Sequence, residues 1–474
     1  MRINGIHSAI GISMYAVLLS LASSVVYADT SKILSTLNDQ ESVAVTVYNN
    51  NLGLVKDTRK ITLKVGESEL NFEDVSSQIQ PQTVHFQSLT SPDAVSVLEQ
   101  NYEFDLLSPA KLIEKFVGKE IHAIVNNSEV PVTILSAKDG IVYRMGDKIF
   151  TESPGRLIFP KLPENLIASP TLVLDLENKN PKPQTIETSY LTHGISWHAD
   201  YVGTLSKDSK VMNLTGWVTL ENHAGATFRN ARLKLVAGDV NQVRQEMVRA
   251  MEYPTAMKAK AAAPQFTEEG FSEFHLYSLQ RPTTLKDQES KQITLLSADR
   301  IPVTKEYVYQ GQSYYYHSRY PGKISAQKVG TYIWFKNNKD SHLGQPLPKG
   351  IVRIYMEDKD DSLQFSGEGE IDHTPKDEKV TLFLGNAFDL TAERKQTDWK
   401  KLAENYFESG YEVTLRNHKE EDVTINVVEP MSGDYEIFEN TLPFEKIDAF
   451  NVRFKVPVTK NGETKLKYRI RVRY

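Results

Sequence analysis

Lys465-Leu466-Lys467-Tyr468-Arg469-Ile470-Arg471-Val472-Arg473-Tyr474 places an apolar or aromatic residue at every even position and a cation at every odd one. A period of two belongs to a β-strand, whose successive side chains point to opposite faces, so the segment reads as a strand with one face on a core and one outside. The same alternation occurs at Val43, Val45 and Val47, at Ile61, Leu63 and Val65, and at Leu70 and Phe72. Between residues 411 and 474 it returns at the spacing of a β-sandwich, in the runs 411–416, 423–428, 435–438 and 450–456. An outer-membrane barrel would need a ladder of longer strands than these runs supply.

One segment breaks the pattern. In Ser108-Pro109-Ala110-Lys111-Leu112-Ile113-Glu114-Lys115-Phe116-Val117-Gly118, a serine suited to N-capping, a proline at the first helical position and a terminal glycine predict one short helix. Four strand-sized runs follow at 121–125, 130–135, 141–144 and 148–151, a set that suits a small β-barrel. The fold class is therefore all-β: an N-terminal β-domain with a small barrel-like insertion and one short helix, followed by C-terminal β-sandwich layers. Prolines 160, 163, 170, 181 and 183 place a soft boundary near residue 180. The expected division is 29–180 for the N-terminal β-domain, 181–405 for a central β-sandwich and 406–474 for immunoglobulin-like sandwich strands. Within the central part, residues 243–270 are rich in Ala, Met and Lys and broken by Pro254 and Pro264, which predicts a mobile excursion.

Residues 1–28 show another order: Arg2, an apolar run from Ala9 to Val26, then Val26-Tyr27-Ala28 before Asp29. Basic, apolar and small residues in that sequence read as a secretory signal peptide, which predicts a periplasmic or secreted protein with no transmembrane segment after cleavage. The 474 residues contain no cysteine, which removes thiol catalysis, disulfides and Cys-ligated metals. With 55 Lys and Arg against 61 Asp and Glu, the net charge of −6 offers no electrostatic basis for nucleic-acid binding.

Candidate chemistry is sparse. His193, His198, Asp200 and His223 are of ligand type, but His193 and His198 are five apart on one strand and face opposite ways. Trp197, Ala199 and Tyr201 share one parity and read as core, whereas His198, Asp200 and Val202 share the other and read as surface. No Gly-x-Ser-x-Gly elbow occurs. Carboxylates at Glu368, Glu370 and Asp372, and at Glu357, Asp358, Asp360 and Asp361, read as solvated loops, because the second run lacks the glycine and glutamate of a calcium loop. No catalytic, cofactor-binding or metal-binding residue is assigned. The candidate interaction residues are Tyr314, Tyr315 and Tyr316, three consecutive aromatics that one strand face cannot bury together and whose other reading is packing at a domain interface, and Lys467, Arg469 and Arg471 at the centre of the basic stripe. That stripe is expected to meet acidic neighbouring strands or an anionic surface group such as lipopolysaccharide phosphate.

The motifs VTVYNNNLGLVKDTR at 45–59, EQNYEFDLLSPAKLIEKFVGKEI at 99–121, ISWHADYVGTL at 195–205 and GWVTLENHAGATFRNARLKLVAGDVNQV from 216 resemble a single family. So do EFHLYSLQRPTTLKDQESKQITLLSA at 273–298 and YEVTLRNHKEEDVTINVVEPMSGDYEI at 411–437. Together they are similar to the secreted bacterial proteins that carry domain of unknown function four-one-three-nine, with mucoidy-inhibitor-like relatives. The resemblance implies an all-β protein of the cell envelope and supplies no catalytic residues. The expected function is a non-enzymatic binding or structural interaction protein of the envelope, with an envelope protein or an anionic glycan as partner and no cofactor. The alternative is a periplasmic hydrolase acting on an envelope substrate.

Overall fold

The structure, a computed structural model, describes residues 31–152, 155–163, 166–238, 265–320, 323–431 and 433–474. The segment read as a signal peptide and most of the 243–270 excursion lie outside these residues. The end of that excursion is regular structure, however: Phe266–Phe271 is a strand paired antiparallel with Phe274–Leu279. Phe266 is buried in the main core, which the local composition conceals. No helix among the described residues is long and apolar enough to cross a membrane.

The described residues form all-β layers, with five sheets and one α-helix. Pro109–Lys115 is that helix, capped as the sequence predicts by Ser108 Oγ, which accepts from the Lys111 amide at 3.1 Å. Its chain leaves through Gly118 at φ +80°, where a side chain would be strained. The five strands around it run in the order Lys148–Phe150, Val142–Met145, Ser128–Ser136, Glu120–Val125 and Arg156–Ile158. Among the described residues the two outer strands of this sheet do not pair with each other, so the barrel-like insertion is an open sheet. It closes over a separate small core that includes Phe116, Ile121 and Ile134.

A larger core unites four sheets, the nine-stranded one contributing Ile333, Phe335, Val380 and Leu382. Leu70, Phe72 and Leu174 come from a four-stranded sheet, Val45, Val55 and Leu233 from an eight-stranded one, and Trp197, Tyr201 and Leu214 from a five-stranded one. In the eight-stranded sheet, Leu52–Ile61 pairs with Gln184–Thr192 and Gln40–Tyr48 runs parallel to Phe228–Ala237. Hydrogen bonding thus crosses residue 180. The fifth sheet has nine strands and draws on the chain from Thr304–Gln310 to Gly462–Arg473. Its core is rich in tyrosine.

That second core encloses a charge. Arg394 and Glu429 form an ion pair at 2.6 Å with both side chains fully inaccessible. Arg394 Nη2 also donates to Tyr468 Oη at 2.6 Å, and Tyr316 Oη donates to Glu429 Oε2 at 2.7 Å. The guanidinium lies 4.3 Å from the centre of the Tyr315 ring and 4.6 Å from that of Tyr411, a cage of aromatic faces suited to a planar cation. Gly311 is required beside it, since a Cβ there would run into the Glu429 carboxylate.

Of the three tyrosines named as candidate contacts, two are packed inside, which corrects the contact reading for Tyr315 and Tyr316. Ser313–Tyr316 is a short 3-10 helix rather than an exposed loop. Tyr315 and Tyr316 turn inward onto Arg394 and Glu429 and are wholly buried, while Tyr314 remains exposed.

Removing one member of a buried ion pair strands the other's charge, at a typical cost of about 3–5 kcal/mol, whereas an apolar pair of similar volume is often neutral. Glu429→Ala is expected to destabilise the full chain by about that amount in urea titration, and Arg394→Met with Glu429→Leu to recover most of it. A loss below about 1 kcal/mol for the single variant would contradict this account.

Candidate functional site

The strand Ile195–Leu205 is central in the five-stranded sheet, flanked by antiparallel Val211–Asn222 and parallel Gly350–Glu357. Trp197, Ala199 and Tyr201 are almost wholly buried, as their parity predicts. Trp197 Nε1 donates to the Val236 carbonyl at 3.2 Å and Tyr201 Oη to the Pro348 carbonyl at 2.8 Å, so both polar tips are satisfied inside the core. With that face fixed, the intervening residues must project from the other side.

There the sheet assembles a polar cluster. Asp200 accepts from Thr219 Oγ1 at 2.7 Å and from Arg353 Nη1 at 2.9 Å, and His198 Nε2 lies 3.1 Å from the same carboxylate. Arg353 Nε is 3.3 Å from Glu368, and Gln292 Nε2 donates to Thr219 Oγ1 at 3.2 Å. Gly350 makes this convergence possible: it faces Ala199 across the parallel pair, and a Cβ there would collide with the Ala199 carbonyl. A bulkier residue would push the Arg353 strand away from Asp200.

The cluster shares its face with aromatic residues. Trp217 is directly opposite Asp200 in the antiparallel pair and is only partly buried. Tyr355 lies two residues beyond Arg353 on the same face, and its ring meets Phe365 edge-on at 5.7 Å. Phe365 is 56% exposed.

Burial alone would raise the Asp200 pKa, but hydrogen bonds from His198, Thr219 and Arg353 outweigh it and hold the carboxyl well below its usual range. His198 moves the other way, raised chiefly by its hydrogen bond to Asp200 against partial desolvation. Chemically the arrangement is a fixed array of donors and acceptors beside aromatic faces. His193 and His223 do not join it: His193 bonds to the Asn51 carbonyl and Gln80, and His223 to Gln288. Among the described residues no group of three His, Cys, Asp or Glu is placed to hold a metal ion.

The basic stripe lies elsewhere, on Gly462–Arg473 in the nine-stranded sheet, and its cations face carboxylates on both neighbouring strands. Lys467 meets Glu412 at 3.2 Å, Arg469 meets Glu408 at 2.7 Å and Asp398 at 2.8 Å, and Arg471 meets Glu408 at 2.9 Å. Glu408 is held below its usual pKa, first by Arg469 and then by Arg471. The acidic runs are also engaged, and Glu368 and Glu370 lie on the strand Leu363–Ile371 rather than in the loop expected from the sequence. Asp358 accepts from the amides of Asp360 and Ser362 and from Gln364, while Glu370 and Asp372 lie near Lys349.

The opposite shifts of His198 and Asp200 set a pH window. A raised His198 contributes stability that is complete below the unfolded histidine pKa of about 6.5 and is lost as pH rises through its folded value. A depressed Asp200 contributes stability above the unfolded aspartate range that is lost only as pH falls through its folded value. The pair is expected to contribute most in mild acid. In a histidine NMR titration of the full chain, Asp200→Asn should move the His198 midpoint down toward about 6.5. An unchanged midpoint would contradict the contact.

Among known proteins, no curated one matches the chain. A family model described as a domain of unknown function, DUF4139, matches residues 186–474, more than half of the chain and the whole of the cluster around Asp200. The motifs at 45–59 and 99–121 lie outside that match. On the match over residues 186–474, the chain belongs to the DUF4139 domain-of-unknown-function family.

Proposed function

We propose that this protein is exported to the cell envelope and acts there as a non-enzymatic binding protein, with the outer face of the five-stranded sheet as its contact surface. The order of basic, apolar and small residues in positions 1–28 supports export. The observation that carries the binding reading is the meeting of His198, Asp200, Arg353 and Trp217, from three strands, on one side of one sheet. Asp200 stays ionised because its three donors hold its pKa down, and it serves to hold its neighbours in place. The ligand surface is thereby pre-ordered, which lowers the entropy cost of binding.

The basic stripe is the rival surface, but Lys467, Arg469 and Arg471 already face carboxylates within the fold. Cosedimentation of the full chain with envelope fragments of its source cell separates the two surfaces. Trp217→Ala combined with Arg353→Ala is expected to reduce cosedimentation at least fivefold, and Arg469→Glu to leave it unchanged. The opposite pattern would move the contact to the last strand. Absence of sedimentation by the unaltered chain would defeat the binding reading.

A further inference from the structure

Two stacking positions on the outer face of the five-stranded sheet flank the Asp200 cluster, and their separation follows from the register. Trp217 stands opposite Asp200, whereas Tyr355 stands opposite Thr204, four residues further along the central strand and on its other side. At about 3.3 Å per residue and about 4.8 Å between strands, the Cα atoms of Trp217 and Tyr355 are roughly 16 Å apart. Arg353 lies between them along the strand direction and is joined at 3.3 Å to Glu368 on the next strand.

The charges along this path leave a small negative excess. Asp200, Glu221 and Glu368 face Arg353 and, below its raised pKa, His198; Glu221 is close enough to His198 to favour its protonated form. A phosphate or carboxylate ligand would meet three carboxylates, and a polycation would compete with Arg353 for partners it already has. Hydroxyl groups fit better, because each both donates and accepts and so can serve exposed Gln292, His198 and Glu368 without adding charge. The aromatic rings supply the remaining requirement. Each has an electron-rich face that can receive the apolar C–H face of a sugar ring.

We infer that this face binds an uncharged oligosaccharide, stacked on Trp217 at one end and on the Tyr355–Phe365 pair at the other, with its hydroxyls bonded across the cluster around Asp200. The inference rests on the reading of this face as the contact surface and names the ligand class.

The test uses the full chain with cellotriose, maltotriose and chitotriose, and with tripolyphosphate and trilysine as charged comparators, followed by calorimetry and tryptophan fluorescence. At least one trisaccharide is expected to bind saturably. Its affinity should fall tenfold or more in Trp217→Ala and in Phe365→Ala, be largely kept in Trp217→Phe, and be unchanged in Phe388→Ala, where the ring is 97% exposed outside this face. Urea titration of each variant shows whether it is folded, and Trp217→Phe guards against a trivial loss of structure. The inference is overturned if a trisaccharide binds without dependence on Trp217 and Phe365. It is equally overturned if only a charged comparator binds, or if no trisaccharide binds while envelope cosedimentation still requires Trp217. That last result would leave the contact surface standing and remove only the sugar, whereas loss of cosedimentation in the unaltered chain would remove both.

Discussion

A strand with one face in a core and the other outside cannot slip by one residue, because every side chain would exchange faces. Ile195–Leu205 is bound by this constraint over its whole length. Burying Trp197 and Tyr201 leaves His198 and Asp200 no direction but outward, and the hydrogen bonds of the two aromatic side chains to Val236 and Pro348 fix the depth at which the strand sits. The candidate site is thus a consequence of the core beneath it. Its geometry is inherited from an eleven-residue strand whose buried face is packed in a core shared by four sheets.

Two buried guanidinium groups interrupt the apolar pattern of the chain and act as fasteners. Arg394 joins its strand to Glu429, Tyr316 and Tyr468, which come from separate parts of the nine-stranded layer. Arg59 does similar work beside the larger core. It pairs with Asp57 at 2.8 Å, donates to the carbonyls of Ser35 and Glu73, and lies 3.6 Å from the centre of the Phe72 ring. Each buried charge has one location where its hydrogen bonds are met and many where they are not. Such groups add little net stability but penalise alternative pairings heavily.

The same constraints explain what could be read from the sequence. The fold class was legible because period-two alternation is local, and the helix at Pro109–Lys115 because its cap, proline and glycine are all within eleven residues. The strand Lys379–Ala403 escaped because Arg394 occupies a core position in the same parity as Leu390 and Ala392, and a buried arginine looks like a surface residue. The outward parity of His198 and Asp200 was legible for the same local reason. Arg353 was not, since it meets Asp200 across 153 residues of chain through a parallel pairing that no local pattern encodes. Trp217 did leave a signal: it is the aromatic residue on the polar parity of Thr215 and Thr219, within a strand whose other parity supplies Leu214, Val218 and Leu220 to the core.

If the outer face of this sheet is where the protein meets its ligand, its aromatic side chains must lose solvent access when envelope material binds. Hydroxyl-radical footprinting of the full chain, read by mass spectrometry with and without envelope fragments, measures that directly whatever the ligand is. The account predicts reduced oxidation at Trp217, Tyr355 and Phe365, with Tyr314 and Phe388 unchanged. Protection confined to Tyr314, Phe388 or the strand Gly462–Arg473, with Trp217 and Phe365 oxidised as before, would contradict it.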